Sequence, residues 1–134
     1  MLPLLLAFAA ALSPVALQEP GTPETPAHEL AAALAEDLSQ GQNAAFLAHF
    51  DEKMPGYDRL RGYIAALDSQ GTGCSIEIRD DQGDSSRRKL ALDWILELSD
   101  RRRRGIVRVT IERQGKRWKI TALDPVEFFA PPRS

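Results

Sequence analysis

The stretch GKRWKITALDPVEFFAPP, from Gly115 to Pro132, reads as a strand, a turn and two adjacent phenylalanines. Its RWKITAL segment alternates polar and apolar residues, which is typical of a half-buried strand. The Asp-Pro pair that follows predicts a turn. The chain therefore places Phe128 and Phe129 beside a strand that already carries Trp118. The position of these rings therefore determines how the sheet packs against the rest of the chain.

The preceding segment, IVRVTIER, alternates in the same way and can be paired with this strand. If Gln114-Gly115 is a two-residue loop, the apolar partners are Ile111 with Trp118, Val109 with Ile120, and Val107 with Ala122. Glu112 and Arg117 then form a pair of opposite charge on the other face. A register shifted by one residue would mix the two faces, so the pattern predicts this antiparallel hairpin.

Two further segments with a period of two come earlier in the chain, CSIEIRD from Cys74 and KLALDWILEL from Lys89. Before them the apolar period is about 3.6, which predicts helices. The first begins at a Thr25 N-cap with Pro26 at its first position and ends at Gly41, the second runs from an Asn43 cap through Phe50, and the third spans about Tyr57 to Gln70. Three helices followed by four antiparallel strands predict an α+β fold.

Length and composition limit the class of protein. The chain has 134 residues, 43% of them hydrophobic, which suits one domain with a modest core. Its 17 basic and 19 acidic residues give a formal charge of −2, so we expect no overall attraction to nucleic acid. Cys74 is the only cysteine and cannot form an intramolecular disulfide.

Residues 1–18 carry no charged side chain, and the apolar run from Leu4 to Leu12 has the length of a signal-peptide core. This run is too short to span a bilayer as a helix. The alternatives are a buried helix or an uncleaved anchor. Residues 19–26 are rich in proline and predict a linker, and residues 27–132 form the domain. We therefore expect a secreted or periplasmic protein with no stable membrane anchor after cleavage.

Three N-terminal helices, the segment FDEKMPGYDRLRGYIAAL leading into the third, and a terminal G-x-x-W-K-I … P-x-x-F-F pattern together resemble the nuclear transport factor 2-like superfamily. The resemblance is to its small secreted bacterial members. It implies a cone, in which a strongly curved antiparallel sheet of four or more strands wraps around the helices. In such a cone Trp118 would face the interior, and Phe128 and Phe129 would close one end. The resemblance is also compatible with a homodimer formed through the convex sheet face.

The inward face of the predicted sheet carries no side chain suited to general acid–base catalysis, which needs a titratable group within reach of substrate. Its predicted members are Cys74, Ile76, Ile78, Leu90, Leu92, Trp94, Leu96, Leu98, Val107, Val109, Ile111, Trp118, Ile120 and Ala122. The charged residues Asp93, Glu97, Arg108 and Glu112 would point to solvent or to a partner. The sequence therefore favours a protein without catalytic activity.

Asp51 is the strongest candidate for a catalytic base, because the resemblance places it near the carboxylate base of the isomerases in this superfamily. Tyr57 and Tyr63 are the candidate proton donors. The alternative for Asp51 is a cap on the turn that follows it, since aspartate is common in turns. We predict no metal and no cofactor. A metal at His49 would need further ligands, and His28 is the only other histidine.

The arginine run Arg101–Arg104 falls in the predicted loop between the second and third strands. There it is either an anion-binding patch or a solvated turn. Cys74 begins a strand on the apolar face with no base nearby in the sequence, which favours a buried structural cysteine.

The function that the sequence favours is non-catalytic binding, either of a small apolar ligand inside the cone or of a partner protein. The pocket candidates are the apolar residues Leu92, Trp94, Val109, Trp118, Ile120 and Phe128. The alternative is a small lyase or isomerase that uses Asp51 as general base and a tyrosine as donor.

Overall fold

The computed structural model describes residues 25–68, 72–98 and 101–131. Its helices are α1 (Pro26–Ser39), α2 (Asn43–Leu47) and α3 (Tyr57–Asp68), and its strands are β1 (Gly73–Gly83), β2 (Arg87–Glu97), β3 (Arg102–Gln114) and β4 (Arg117–Asp124). A 3₁₀ helix (Val126–Phe129) follows β4. The strands form one antiparallel sheet in the order β1-β2-β3-β4. The predicted α+β class and the order of its elements are confirmed.

The first helix begins where the sequence predicts. The hydroxyl oxygen of Thr25 accepts the N–H of His28 at 3.1 Å, and Pro26 occupies the first turn. The leucines that share its inner face are buried, namely Leu30, Leu34 and Leu38. The predicted signal peptide and residues 19–24 of the linker lie outside the described residues. Among the helices of the described ranges, none is long and apolar enough to cross a bilayer.

The second helix is shorter than predicted and is capped differently. Gln42, not Asn43, precedes its first turn, and no side chain caps it. The helix ends at Leu47 rather than near Phe50. The third helix starts at Tyr57 as predicted, while its predicted end at residue 70 lies outside the described residues.

Phe50 does not continue the α2 helix, because the backbone on either side of it is hydrogen-bonded to the edge of β4. It forms a single parallel bridge with Ile120. The N–H of Asp51 donates to the carbonyl of Ile120 at 2.8 Å, and the N–H of Ile120 donates to the carbonyl of His49 at 2.8 Å. The spacing of the apolar residues favours a helix here, but these bonds satisfy the same backbone groups in an extended conformation.

The β3–β4 hairpin is antiparallel as predicted, but the predicted register was wrong by two residues. The loop is Gly115-Lys116, with Gly115 at φ 68°, and Ile111 pairs with Ile120 instead of Trp118. Between the loop and Ile111, this shift of two residues keeps each side chain on its predicted face, so alternation could not detect it. The glycine decides the register, because a left-handed φ at the first loop position favours glycine there.

Two irregularities in the ladders bend the sheet. One lies on β1, where Arg79 is the extra residue between Ile78 and Asp80, and the other lies on β4, where Thr121 is the extra residue opposite Thr110 and Ile111 of β3. An extra residue in one strand bends that strand and increases its twist. Beyond the second irregularity Leu123 faces inward and is 7% exposed, whereas Ala122, predicted to face inward, is exposed.

Aromatic rings fill the centre of the concave side. Trp94 and Phe129 are fully buried, with ring centroids 5.0 Å apart at an angle of 84°. Phe46 and Phe50 from the α2 segment are buried beside them. The other buried inward residues of the sheet and its strand ends are Leu90, Leu92, Leu96, Leu98, Val107, Val109, Ile111, Ile120 and Leu123. The C-terminal phenylalanines therefore close the core against both the sheet and the helical segment.

Candidate functional site

Asp51 lies in an open groove of about 650 Å³ at the edge of the sheet. The groove is lined by the segment from α2 to the start of α3 and by the β3–β4 hairpin, namely Ala44, Leu47, Ala48, Phe50, Asp51, Glu52, Lys53, Tyr57, Gln114 and Lys119. We call this the Asp51 groove. It brings Asp51 and Tyr57 to the same surface. Tyr63, the other candidate donor, is not among the residues that line the groove, although both tyrosines pack in part against the core.

The carboxylate of Asp51 is already engaged within the chain. One oxygen accepts the backbone N–H of Lys53 at 2.8 Å, and the other accepts the side-chain amide of Gln114 at 3.0 Å. These two bonds, the first above all, lower the pKa of Asp51 below its usual value. A carboxylate with a lowered pKa is a weak proton acceptor, so this geometry suits the turn better than a general base.

The predicted pocket residues lie in or beside the core. Leu92, Trp94 and Ile120 are at most 1% exposed, and Val109 is 2% exposed. Trp118 and Phe128 are partly buried at the margin of the same cluster. Trp118, predicted to face the interior, lines a groove of about 230 Å³ beside α1. A ligand reaching the four buried side chains would have to displace packed neighbours.

Cys74 and the histidines have structural partners. The indole N–H of Trp94 donates to the sulfur of Cys74 at 3.0 Å, and burial raises the pKa of this thiol to about 12. The thiol therefore stays protonated at neutral pH and is a poor nucleophile. His49 lies 3.0 Å from a carboxylate oxygen of Asp37. Within the described ranges no group of three or more potential ligands could hold a metal ion.

The arginine run does not lie in a loop as predicted. Its last three members belong to β3 and bind groups of this chain. Arg102 forms an ion pair with Glu97 at 3.1 Å. Arg103 donates from one nitrogen to the carbonyls of Phe128 and Ala130, both at 2.6 Å. These bonds hold the C-terminal segment on the sheet, which sequence spacing alone could not reveal.

Asp93 was predicted to point away from the core, to solvent or to a partner, and it does lie on the outer face, but it is only 5% exposed. It lies on the outer face of the sheet under two arginines from the neighbouring strands. Arg104 reaches both carboxylate oxygens, at 3.0 and 2.7 Å, and Arg79 reaches one at 2.6 Å. The bonds from Arg104 and then Arg79 hold the pKa of Asp93 well below its usual range. Asp93, Arg79 and Arg104 meet because of the way β1, β2 and β3 pair. A single sequence does not reveal that pairing.

The outer face of the sheet also carries the exposed apolar residue Ile106, which is 44% exposed and pairs with Asp93 across the strands. Next to it, a groove of about 440 Å³ crosses all four strands. One row of paired positions in this groove is Asp80, Ala91, Arg108 and Asp124. Among the described residues the side chains of Arg108 and Asp124 form no ion pair. We call Ile106 and this row the outer patch.

No family model and no curated protein matches this sequence. Solved structures match its fold. An NTF-2 like protein of unknown function from Shewanella oneidensis has a TM-score of 0.66 at 15% identity, covering 73% of this chain and 93% of that chain. A domain of unknown function with a cystatin-like fold from Nostoc punctiforme has a TM-score of 0.59 at 15% identity, covering 71% and 70%. An LEH-like epoxide hydrolase from M. tuberculosis has a TM-score of 0.51 at 15% identity, covering 73% and 79%.

Proposed function

We propose that this chain, which has the nuclear transport factor 2-like fold, is a non-catalytic protein that acts by binding a partner protein through its outer patch. The partner that the patch fits best is a second copy of the chain. The observation that carries the proposal is the exposure of Ile106 near Arg108 and Asp124, two opposite charges on neighbouring strands that form no ion pair within the described residues. The fold alone does not choose between binding and catalysis, since similar folds serve both.

Charge complementarity supports a second copy as the partner. A two-fold axis places the same surface against itself, so each charge must find its opposite within one patch. The outer patch meets this condition, because its row of paired positions carries both signs of charge. In order across the sheet the row is Asp80, Ala91, Arg108 and Asp124. Ile106 would then form the apolar centre, with the charges at its rim.

The test measures oligomeric state by analytical ultracentrifugation across a concentration series. The unmodified domain should dimerise, and Ile106→Lys should shift it to monomer while the domain stays folded, as its far-UV circular dichroism would show. Ala65→Lys, at an exposed position of α3, is the matched control and should leave the dimer intact. Arg108→Glu should also dissociate the dimer, and Arg108→Glu combined with Asp124→Lys should restore part of it. A domain that stays monomeric up to millimolar concentration would contradict the proposal.

A second candidate function is a small lyase or isomerase, favoured by the presence of Asp51 and Tyr57 in one groove. It requires a carboxylate whose pKa is raised toward neutrality. An NMR titration of the Asp51 carboxyl group separates the two functions without a known substrate. A pKa below the ordinary value of about 3.9 supports the turn role, whereas a value above about 6 would favour the enzyme. In that case Asp51→Asn should abolish turnover and leave stability nearly unchanged.

Export is part of the proposal. The apolar run from Leu4 to Leu12 supports a signal peptide that is removed on secretion or transfer to the periplasm. Mass spectrometry of exported protein should find an N-terminus between Ala16 and Glu19. Intact Met1 in a soluble cytoplasmic fraction would contradict it.

A further inference from the structure

We infer that the groove beside Trp118 is a docking site for the proline-rich segment that precedes α1, residues 19–24 of the same molecule. This groove of about 230 Å³, which we call the Trp118 groove, lies between the first turns of α1 and the β3–β4 hairpin. Its lining shares no residue with the outer patch. It is smaller than the roughly 300–1,000 Å³ of small-molecule pockets, so it suits the side chains of an extended segment better than a whole ligand.

A row of prolines that leads into the groove identifies the occupant. Pro20, Pro23 and Pro26 are spaced by three residues, and Pro26 itself lines the groove. A polyproline II helix has three residues per turn, so prolines at this spacing share one face. Thr25, the residue before α1, has φ −81° and ψ 159°, close to that conformation. Residues 19–24 need only continue it, and they would then span about 19 Å at 3.1 Å per residue.

The groove offers the contacts that such a segment uses. Trp118 is partly buried, and its indole N–H forms no hydrogen bond with any described residue. Proline-rich segments dock on aromatic side chains, and the indole N–H usually finds a partner once it is covered. A backbone carbonyl of residues 19–24 would supply that partner. Leu30 and Ala33 of α1 provide an apolar wall for the proline rings.

Charge complementarity supports the same occupant. Glu19 and Glu24 are the only charged side chains of the segment. On the hairpin, Lys116 and Arg117 are exposed, and neither side chain forms an ion pair with a described residue. Glu29 is the carboxylate among the lining residues. The charges therefore assist docking, while the spacing of the prolines selects the segment.

Covalent attachment favours the segment of the same chain over one from another molecule. The segment joins α1 directly before Pro26, at the groove itself. A short tether of this kind gives an effective concentration on the order of millimolar. Weak contacts with the ring and the two basic side chains are then sufficient to keep the groove occupied.

The test follows the two tryptophan indole N–H signals in ¹H–¹⁵N NMR spectra of the full chain. Pro20→Gly combined with Pro23→Gly should shift the Trp118 signal and make its exchange with solvent about fivefold faster. The Trp94 signal should not change, because its indole N–H donates to the sulfur of Cys74. The matched control is Thr22→Ala, which lies off the face that the prolines share and should change neither signal.

A second set of variants tests the charges. Lys116→Gln combined with Arg117→Gln should change the Trp118 signal in the same direction and by a smaller amount, and raised salt should do the same. Lys53→Gln removes an exposed lysine that is not part of the groove and should have no effect.

Two results would overturn the inference. One is a Trp118 signal whose position and exchange are the same with and without the two prolines. The other is a change that appears only as the protein concentration rises, because the segment would then come from another molecule. Repeating the measurement in Ile106→Lys separates this site from self-association through the outer patch, so either proposal can fail without the other.

Discussion

At the scale of single residues, the two tryptophans show how far alternation along a strand can be trusted. Both lie at inward positions of the pattern, and the sequence treats them as equivalent. Trp94 is fully buried among Phe46, Phe128 and Phe129. Trp118 is only partly buried, because its place near the hairpin end sets it beside α1 instead of under the aromatic cluster.

This difference leads to a prediction on stability. Trp94→Ala should cost about 3–5 kcal/mol, as truncations of buried tryptophan do. Trp118→Ala should cost about 2 kcal/mol or less, since part of its surface is already in water. Urea unfolding at constant pH measures both. Equal losses for the two variants would mean that Trp118 belongs to the core as fully as Trp94.

Asp93 leads to a prediction on pH. Its pKa is lowered in the folded state, so the unfolded chain takes up the proton first. The stabilisation is complete above the unfolded pKa of about 3.9 and is lost as the pH falls toward the lower folded value. Asp93→Asn should therefore lower the urea midpoint at pH 7. The difference in urea midpoint between the variant and the unmodified protein should become smaller below about pH 4. Asp58→Asn, at an exposed position of α3, should show no such trend. A gap that stays constant down to pH 2 would contradict this account.

At the scale of elements, the change of period from 3.6 to 2 was enough to predict three helices and four strands in the right order. The same change of period could not predict where the register between paired strands shifts. The two irregularities, at Ile78/Asp80 and at Thr110/Ile111, depend on pairing between strands. The same limit hid the cluster around Asp93, whose arginines come from two other strands. Sequence did select Asp51 and Tyr57, but the bonds that engage Asp51 come from the backbone and from the distant Gln114.

The hairpin turns offer a test of element geometry at two glycines with positive φ. A side chain at Gly83 (φ 149°) would place its Cβ 2.2 Å from the carbonyl oxygen of Arg87, so the β1–β2 turn must move. At Gly115 (φ 68°) no heavy atom lies within 4 Å of that position, and only the left-handed backbone is disfavoured. Gly115→Ala should cost about 1 kcal/mol, and Gly83→Ala should cost about 3 kcal/mol. Thermal melts of both variants measure the difference, and a reversed order would show that the β1–β2 turn is misplaced.

At the scale of the whole molecule, one aromatic cluster joins elements that are far apart in the sequence. Phe46 and Phe50 come from the α2 segment, Trp94 comes from the middle of the sheet, and Phe129 comes from the last described turn. Arg103 adds two hydrogen bonds from β3 to the carbonyls beside these last rings. The C-terminal segment is thus part of the core, and its removal should affect the entire domain.

The last prediction compares a chain that ends at Asp124 with one that ends at Pro131. The shorter chain loses the 3₁₀ helix, and with it the buried residues Val126 and Phe129 and the contacts of Phe128. Burial of one such ring contributes roughly 4–6 kcal/mol at about 25 cal/mol per Å². The loss of both rings rivals the total stability of about 5–15 kcal/mol that is usual for a domain. We therefore expect the shorter chain to lose its cooperative melting transition and its dispersed amide NMR spectrum. The chain ending at Pro131 keeps every described contact and should melt like the full-length protein. If the shorter chain still melted cooperatively within a few degrees of that control, the two phenylalanines would cover the core without being needed to form it.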